Sequence, residues 1–148
     1  VMGYDQHYAG SEEAGSNAEI SWSREAITST LAQGVPAEKL ILGIPFYTRV
    51  WTINNTTGEL SQKAMGMKSA KDFMTEKGGI IKWLDSAGQN YAEVSDSVNT
   101  YKCWFEDADS VKLRLGLTDE YSIAGTAAWK SGMETDEIWD ILKSGLKK

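Results

Sequence analysis

Three places in the sequence carry side chains that could bind and polarise a ligand, and each lies where a predicted apolar strand ends. They are Tyr4-Asp5, Tyr47 with Arg49 just beyond, and Trp129. In parallel β/α architectures ligands bind at the carboxyl ends of the strands, so these three ends should converge on one rim. A carboxylate, phenols, a guanidinium and an indole suit a sugar, because aromatic faces stack on sugar rings while polar groups bond to hydroxyl and amide substituents.

The elements that must position these residues follow from the apolar pattern. "VMGY" is typical of a short strand, and a helix is predicted from Ser21, which can cap it, to a stop at Gly34. "LILGIPF" is a continuous apolar run that Pro45 ends. Continuous apolar runs are typical of parallel strands covered on both faces, so strand, helix and strand predict a βαβ unit.

The middle of the chain changes character. A hairpin is predicted around Thr57-Gly58, followed by a helix over "SAKDFMTEKG" and strands within "IIKWLDSAGQNYAEV" and "YKCWF". Asp107 or Asp109 can cap the next helix. The strand "IAGTAAW" and the helix "TDEIWDILKSGL" (residues 135–146) then form a last β/α unit.

These elements predict an α/β chain in three parts. Residues 1–50 form barrel β/α units, about strands 6 and 7, residues 51–120 form an inserted α+β subdomain, and residues 121–148 form the last β/α unit. Three parallel strands cannot close a TIM (β/α)8 barrel, which needs about 250 residues. We therefore expect part of such a barrel, with self-association through its open edge.

Composition narrows the classes of function. The formal net charge of −6 argues against a nucleic-acid-binding surface. No apolar stretch approaches the roughly 18 residues that a membrane span requires. His7 is the only histidine and Cys103 the only cysteine, so neither a zinc site built on several such ligands nor an internal disulfide is expected.

The segments "MGYD", "KLILGIPFYTRVW", "WFEDADSVKLRLG" and "IAGTAAWKSGMETDEIW" resemble, in order and spacing, the last three β/α units of family 18 glycoside hydrolases. This family includes chitinases and bacterial cell-wall and spore-cortex lytic enzymes, and "YDQHYAGSEEAGS" and "FYTRVW" look more like the spore-cortex branch. The resemblance implies a substrate built from N-acetylglucosamine, either chitin or peptidoglycan. It also implies no cofactor and a location outside the cell, in the cell wall or in the spore envelope.

The resemblance further implies a substrate-assisted, retaining mechanism, in which a glutamic acid protonates the glycosidic oxygen and the substrate's own acetamido oxygen attacks the anomeric carbon. Tyr4 would hydrogen-bond that acetamido oxygen, and Asp5 would stabilise the polarised acetamido group. The other sugar contacts would come from Met2, Tyr47, Arg49 and Trp129.

One departure from the family pattern is decisive for these expectations. The family's acid lies in a D-x-x-D-x-E motif, and no such spacing occurs in the 148 residues. We therefore expect a fragment that lacks the general acid and is inactive in isolation. A non-catalytic carbohydrate-binding relative is the alternative, and an unrelated β/α-barrel enzyme is a third reading, because fold alone does not license function.

Several residues also have purely structural readings. Tyr4-Asp5 could be a strand-end phenol with a loop-capping carboxylate, Trp129 a core aromatic, and Arg49 the partner of an acidic residue. His7 reads as a loop polar residue and Cys103 as a buried small hydrophobe. Two sets of residues are expected to be structural: Trp51 and Trp104 as packing residues, and Glu106, Asp107 and Asp109 as helix-capping residues rather than a calcium loop.

Overall fold

A computed structural model describes residues 1–145. The helices are α1 (Ile20–Ala32), α2 (Met67–Glu76), α3 (Ala108–Glu120) and α4 (Glu137–Gly145), with a short 3-10 turn at Ala37–Lys39. The strands are β1 (Ile41–Pro45), β2 (Tyr47–Asn54), β3 (Leu60–Gly66), β4 (Lys82–Leu84), β5 (Gln89–Ser95), β6 (Asn99–Trp104) and β7 (Gly125–Trp129). The fold is α/β, as the sequence predicts.

A two-stranded parallel sheet contains β1 and β7. β1 and β7 pair in parallel, with Gly43 opposite Ala127. The predicted first strand "VMGY" is wrong as a full strand, because only a parallel bridge between Met2 and Gly43 forms there. Even so, Gly3 donates from its backbone N–H to the Gly43 carbonyl at 2.9 Å, so the chain start runs parallel beside β1.

Helices α1, α3 and α4 cover this sheet with one shared core. Apolar side chains at helical spacing meet the apolar residues of β1, and each is removed from water. The fully buried members are Ile27 of α1, Leu42 and Ile44 of β1, Val111 of α3, and Ile138 of α4. Since α3 belongs to this core, the parallel sheet draws on residues from the beginning, the middle and the end of the chain.

The helix starts test the capping predictions. Ser21 as the cap of α1 is wrong: the helix begins one residue earlier, at Ile20, whose backbone N–H donates to the Ala87 carbonyl at 2.9 Å. A tertiary contact therefore replaces the local cap. At α3 the prediction is confirmed, because Asp107 and Ser110 form a reciprocal capping box. The helix predicted over 135–146 begins at Glu137, and residue 146 lies outside the described residues.

The second sheet is antiparallel and has the strand order β3-β2-β6-β5-β4. Phe46 alone separates β2 from β1, so the chain passes directly from one sheet into the other. The predicted hairpin around Thr57-Gly58 is confirmed and joins β2 to β3, with Gly58 at a φ of +72°. The sheet includes Tyr47 and Arg49, which the sequence pattern places just beyond a parallel strand.

A smaller core lies between the antiparallel sheet and α2. Cys103 of β6 and Met74 of α2 are fully buried there. Burial raises the pKa of the Cys103 thiol to about 12, so this thiol is a packing group, as predicted. Trp51 is buried and the Trp104 ring packs against the Tyr91 ring at a tilt of 51°, with centroids 4.7 Å apart, which also agrees with the packing roles predicted for both tryptophans.

The division of the chain into residues 1–50, 51–120 and 121–148 stays a prediction. Among residues 1–145, no helix has the length and apolarity to cross a lipid bilayer.

A buried ion pair joins the two sheets. Arg114 of α3 and Glu106, in the connection before α3, are each about 1% exposed, and the guanidinium binds both carboxylate oxygens. Glu106 also accepts hydrogen bonds from Gln89 Nε2 of β5 at 2.9 Å and from the Ser110 hydroxyl at 3.0 Å. Buried charges require such pairing, because their desolvation is otherwise too costly. Burial raises the pKa of Glu106 to about 7, while Arg114 acts in the opposite direction.

The same network reaches the loop that precedes α1. Arg114 donates to the backbone carbonyl of Ala18, and the Ser16 hydroxyl donates to Gln89 Oε1. Ser16 and Ala18 are both fully buried. The ion pair therefore fixes this loop against helix α3 and strand β5.

Arg114→Met should lower the free energy of unfolding by about 3–5 kcal/mol, because Glu106 would then be buried without its cation. Urea denaturation measures this loss. A second substitution, Glu106→Gln, should restore part of the stability by removing the uncompensated carboxylate.

The matched control is Arg24→Met. The Arg24–Glu120 pair is 43% and 46% exposed, so its loss should change stability by less than about 1 kcal/mol. Equal losses in the two arginine variants would contradict the role assigned to the buried pair.

Candidate active site

Asp5 lies at the centre of a polar cluster formed with two other predicted site residues. Its Oδ1 accepts hydrogen bonds from the Tyr47 hydroxyl at 2.5 Å and from Arg49 Nη2 at 2.6 Å. Tyr47 and Arg49 are alternate residues of β2, so both side chains lie on the same face of the antiparallel sheet. The Arg49 side chain is 10% exposed and that of Asp5 is 45% exposed, which leaves the carboxylate accessible to a ligand.

The other predicted site residues form an adjacent cavity. Met2, Tyr4 and Trp129 line a cavity of about 290 Å³ across the three parallel segments. Trp129 is 57% exposed and Met2 is 71% exposed, so both present apolar surface to solvent. The Tyr4 ring contacts the Tyr47 ring edge-on, with centroids 6.3 Å apart, which joins the cavity to the Asp5 cluster.

Close backbone approach makes this arrangement feasible. A Cβ at Gly43, in the middle of β1, would lie 3.1 Å from the Tyr4 ring and 3.1 Å from the Val1 carbonyl oxygen. Glycine therefore lets the Tyr4 side chain lie directly over the strand. The Phe46 backbone N–H donates to the Trp129 carbonyl at 2.7 Å, so the ends of β1 and β7 lie side by side.

These contacts bear on the structural readings of the same residues. The Asp5 carboxylate binds the side chains of β2, whereas a loop-capping carboxylate would bind nearby backbone N–H groups. Trp129 is more than half exposed, so most of its side chain lies outside the core that residues 1–145 form. Arg49 does pair with an acidic residue, Asp5, and its Nη1 donates to Gln62 Oε1 at 2.9 Å. The roles of these residues toward a ligand stay predictions.

The environment of Tyr47 favours its neutral, proton-donating form. Burial of the phenol, followed by its hydrogen bond and charge interaction with Asp5, raises the pKa of Tyr47 well above its ordinary value of about 10. A neutral phenol keeps its proton and donates it in the hydrogen bond to Asp5 Oδ1. The pair can therefore position a substrate amide and stabilise positive charge near it.

Sequence reasoning missed two residues that hold this cluster. Asn17, in the loop before α1, contacts Asp5 and Tyr47, and Gln62 of β3 contacts Arg49. No spacing rule connects Asn17 with Asp5, because the loop between them is irregular. The contact of Gln62 could have been predicted from the sequence, because the Thr57-Gly58 hairpin sets the register that places β3 beside Arg49.

The remaining titratable candidates have structural roles. The His7 ring donates from Nδ1 to the Ser16 carbonyl at 2.8 Å and packs against Gly15, as expected for a loop residue. Asp107 caps α3, so the capping prediction is confirmed for that residue of the acidic cluster. It is wrong for Glu106, whose carboxylate is buried and pairs with Arg114 instead of capping the helix. Within residues 1–145, the structure contains no group of three His, Cys, Asp or Glu side chains that could hold a metal ion.

Comparison with known proteins identifies the family to which the sequence is similar. The sequence model of Glycosyl hydrolases family 18 matches residues 1–134. The chain is 26% identical over 143 residues to the cortical fragment-lytic enzyme of Bacillus subtilis, covering 96% of this chain and 33% of that enzyme. More generally, it spans 30%, 42% and 33% of the length of three curated relatives that it matches.

Solved structures agree on the fold. A chitinase from Chromobacterium violaceum superposes with a TM-score of 0.85 at 24% identity, over 99% of this chain and 44% of that chain. The Bacillus cereus spore cortex-lytic enzyme SleL superposes with a TM-score of 0.84 at 24% identity, over 97% of this chain and 34% of that chain.

Asp5→Asn should lower the pKa of Tyr47 towards its ordinary value of about 10, because the negative partner that disfavours phenolate is removed. Absorbance titration of phenolate measures this, and Tyr47→Phe identifies which transition belongs to Tyr47. Asp96→Asn, at a turn of the second sheet, is the matched carboxylate control and should leave that transition in place. An unchanged Tyr47 titration in Asp5→Asn would contradict the pairing.

Proposed function

Because the chain belongs to glycosyl hydrolases family 18, we propose that it carries half of the substrate site of a glycosidase that cleaves β-1,4-linked N-acetylglucosamine polymers. The observation that carries this proposal is the Asp5 cluster beside an open aromatic cavity. A carboxylate held by Tyr47 and Arg49 directly follows Tyr4, which lines the cavity together with the exposed Trp129. This combination suits a sugar ring with an acetamido substituent.

In the proposed mechanism the substrate supplies its own nucleophile. Tyr4 donates a hydrogen bond to the acetamido oxygen and holds it below the anomeric carbon. Asp5 stabilises the positive charge that develops on the acetamido group as its oxygen forms the new bond and the glycosidic bond breaks. Water then opens the oxazolinium ion with overall retention, which is the substrate-assisted exception to the two-carboxylate scheme.

The remaining residues orient the sugar. Trp129 offers its exposed indole face as the floor beneath the ring, and Met2 lines the same cavity. Tyr47 and Arg49 contact the sugar near the scissile bond through the hydroxyl and the guanidinium, which Asp5 also holds in place. Bringing the substrate into one geometry lowers the entropic part of the barrier.

The acid that protonates the leaving oxygen must come from outside these 148 residues, since no D-x-x-D-x-E spacing occurs in them. We propose that the chain forms the last three β/α units of a TIM barrel with an α+β insertion, and that a preceding part contributes the glutamic acid. The parallel alignment of Met2, Gly43 and Ala127 supports this arrangement. In isolation the chain should be inactive.

The substrate is proposed to be chitin or the glycan of peptidoglycan. The similarity to a cortical fragment-lytic enzyme supports peptidoglycan and a location in the spore envelope, the cell wall or the extracellular space. A non-catalytic carbohydrate-binding protein is the second candidate, favoured by one observation, the exposed Trp129 in the cavity, because an aromatic face binds a sugar ring whether or not cleavage follows. Both candidates use the same cavity, but only the first predicts turnover.

Asp5→Ala should lower kcat by about 100- to 1,000-fold in a protein that joins these residues to the proposed acid, because it removes a charge that acts in the transition state. Hydrolysis of a defined chitooligosaccharide and of purified peptidoglycan measures the effect. Asp72→Ala, which removes a surface carboxylate from an exposed pair with Lys68, is the matched control.

If the native protein shows no turnover and Asp5→Ala changes only its affinity for the oligosaccharide, the carbohydrate-binding alternative is favoured. Turnover of a chitooligosaccharide by residues 1–148 alone would overturn the proposal that the acid lies elsewhere.

The chain alone should self-associate through the edge of β7. That strand pairs only with β1 in the described part of the chain, and beside it lies a cavity of about 720 Å³ between β7, α3 and α4. Sedimentation should show species larger than a monomer, and Ala128→Lys, at an exposed position of β7, should reduce them by charging the edge. Trp22→Lys, at an exposed aromatic of α1, is the control, and a monodisperse monomer would contradict the expectation.

A further inference from the structure

Asn17 makes an unusual pair of contacts for a loop residue. It is 1% exposed, although it lies between the first strand end and α1. Its side-chain Oδ1 accepts a hydrogen bond from the Asp5 backbone N–H at 3.1 Å, and its Nδ2 donates to the Tyr47 backbone carbonyl at 3.0 Å. One buried amide thus joins the backbones of two candidate site residues that are far apart in the sequence.

Asp5 needs such a restraint because its backbone is strained. Its φ is +60°, in the left-handed region that residues with a side chain rarely adopt. A relaxed, extended backbone at this position would carry the carboxylate away from the Tyr47 hydroxyl and Arg49. The hydrogen bond from the Asp5 N–H to Asn17 compensates for this backbone strain. It acts on the same backbone whose conformation orients the Asp5 carboxylate.

The loop itself does not need the Asn17 side chain to close. Gln6 and Glu19 hold the loop through two reciprocal bonds, Gln6 Nε2 to Glu19 Oε2 at 3.1 Å and Glu19 N–H to Gln6 Oε1 at 2.9 Å. Backbone bonds from Gln6 N–H to the Asn17 carbonyl and from His7 N–H to the Ser16 carbonyl add to them. The two side-chain bonds of Asn17 go instead to the site.

We infer that Asn17 is a positioning residue of the site: it holds the Asp5 carboxylate and the Tyr47 phenol in register and does not contact the substrate. Its catalytic consequence rests on the proposed function, whereas its geometric consequence does not. Loss of the amide should therefore misalign Asp5 and Tyr47 without removing any group that binds the sugar.

The catalytic test uses Asn17→Ala in a protein that joins these residues to the proposed acid. We expect kcat on a chitooligosaccharide to fall about 100-fold, the scale of a small misplacement of reacting groups, with KM changed less than about threefold. Gln6→Ala is the matched control, because it also removes two hydrogen bonds from the same loop but none to Asp5 or Tyr47. Equal falls in kcat for both variants would overturn the inference.

A conservative variant, Asn17→Asp, separates positioning from simple loss of stability. When its new carboxyl group is protonated, it can still accept from the Asp5 N–H and donate to the Tyr47 carbonyl, whereas the ionised form cannot donate. The titratable residues that the Asn17 side chain contacts are Asp5 and Tyr47, and Arg49 binds the Asp5 carboxylate beside them. The ratio of variant to native kcat should rise as the pH is lowered, and a ratio that stays flat with pH would contradict the inference.

A structural readout on the chain keeps the inference independent of turnover. Asn17→Ala should accelerate hydrogen exchange of the Asp5 amide, because this amide donates to the Asn17 side chain, whereas Gln6→Ala should leave that exchange rate unchanged. If the native protein hydrolyses neither chitooligosaccharide nor peptidoglycan, the proposed function fails, and the exchange measurement still tests the positioning role. Unchanged exchange of the Asp5 amide in Asn17→Ala would overturn the inference.

Discussion

The buried pair of Arg114 and Glu106 is the interaction on which the rest of the structure depends. A guanidinium and a carboxylate that are both about 1% exposed need partners for their polar atoms, and within residues 1–145 only Nε of the Arg114 guanidinium has none. Those partners come from α3, from β5 through Gln89, and from the loop before α1. The requirement to satisfy one buried charge pair thus specifies how the parallel sheet, the antiparallel sheet and that loop sit together.

The consequence of this pair reaches the site through a single residue. Ser16 and Ala18, the neighbours of Asn17, are both held by the buried network. Asn17 is therefore presented to Asp5 and Tyr47 from a fixed backbone rather than from a flexible loop. The same contacts therefore support both stability and site geometry. The network that binds the buried Arg114–Glu106 pair also fixes the loop that orients the exposed Asp5 carboxylate.

The sequence is most informative where a pattern is local and repeated. The apolar run of β1, the Thr57-Gly58 turn and the Asp107 cap each follow from neighbouring residues, and each is confirmed. The predicted start of α1 is wrong because a carbonyl from residue 87, far along the chain, replaces the Ser21 cap. Asn17 escapes prediction for the same physical reason, since its partners are 12 and 30 residues away.

The single-residue connection at Phe46 has an evolutionary consequence. Side chains alternate along a strand with a period of two, so adding or deleting one residue there would turn Tyr47 and Arg49 to the opposite face of the sheet. Insertions and deletions should therefore be selected against at that junction in proteins that descend from this sequence. They should accumulate instead at the hairpin tip near Gly58, where nothing lies within 4 Å of an added Cβ. The length of the connection between the two sheets is therefore constrained, while the length of the hairpin tip is not.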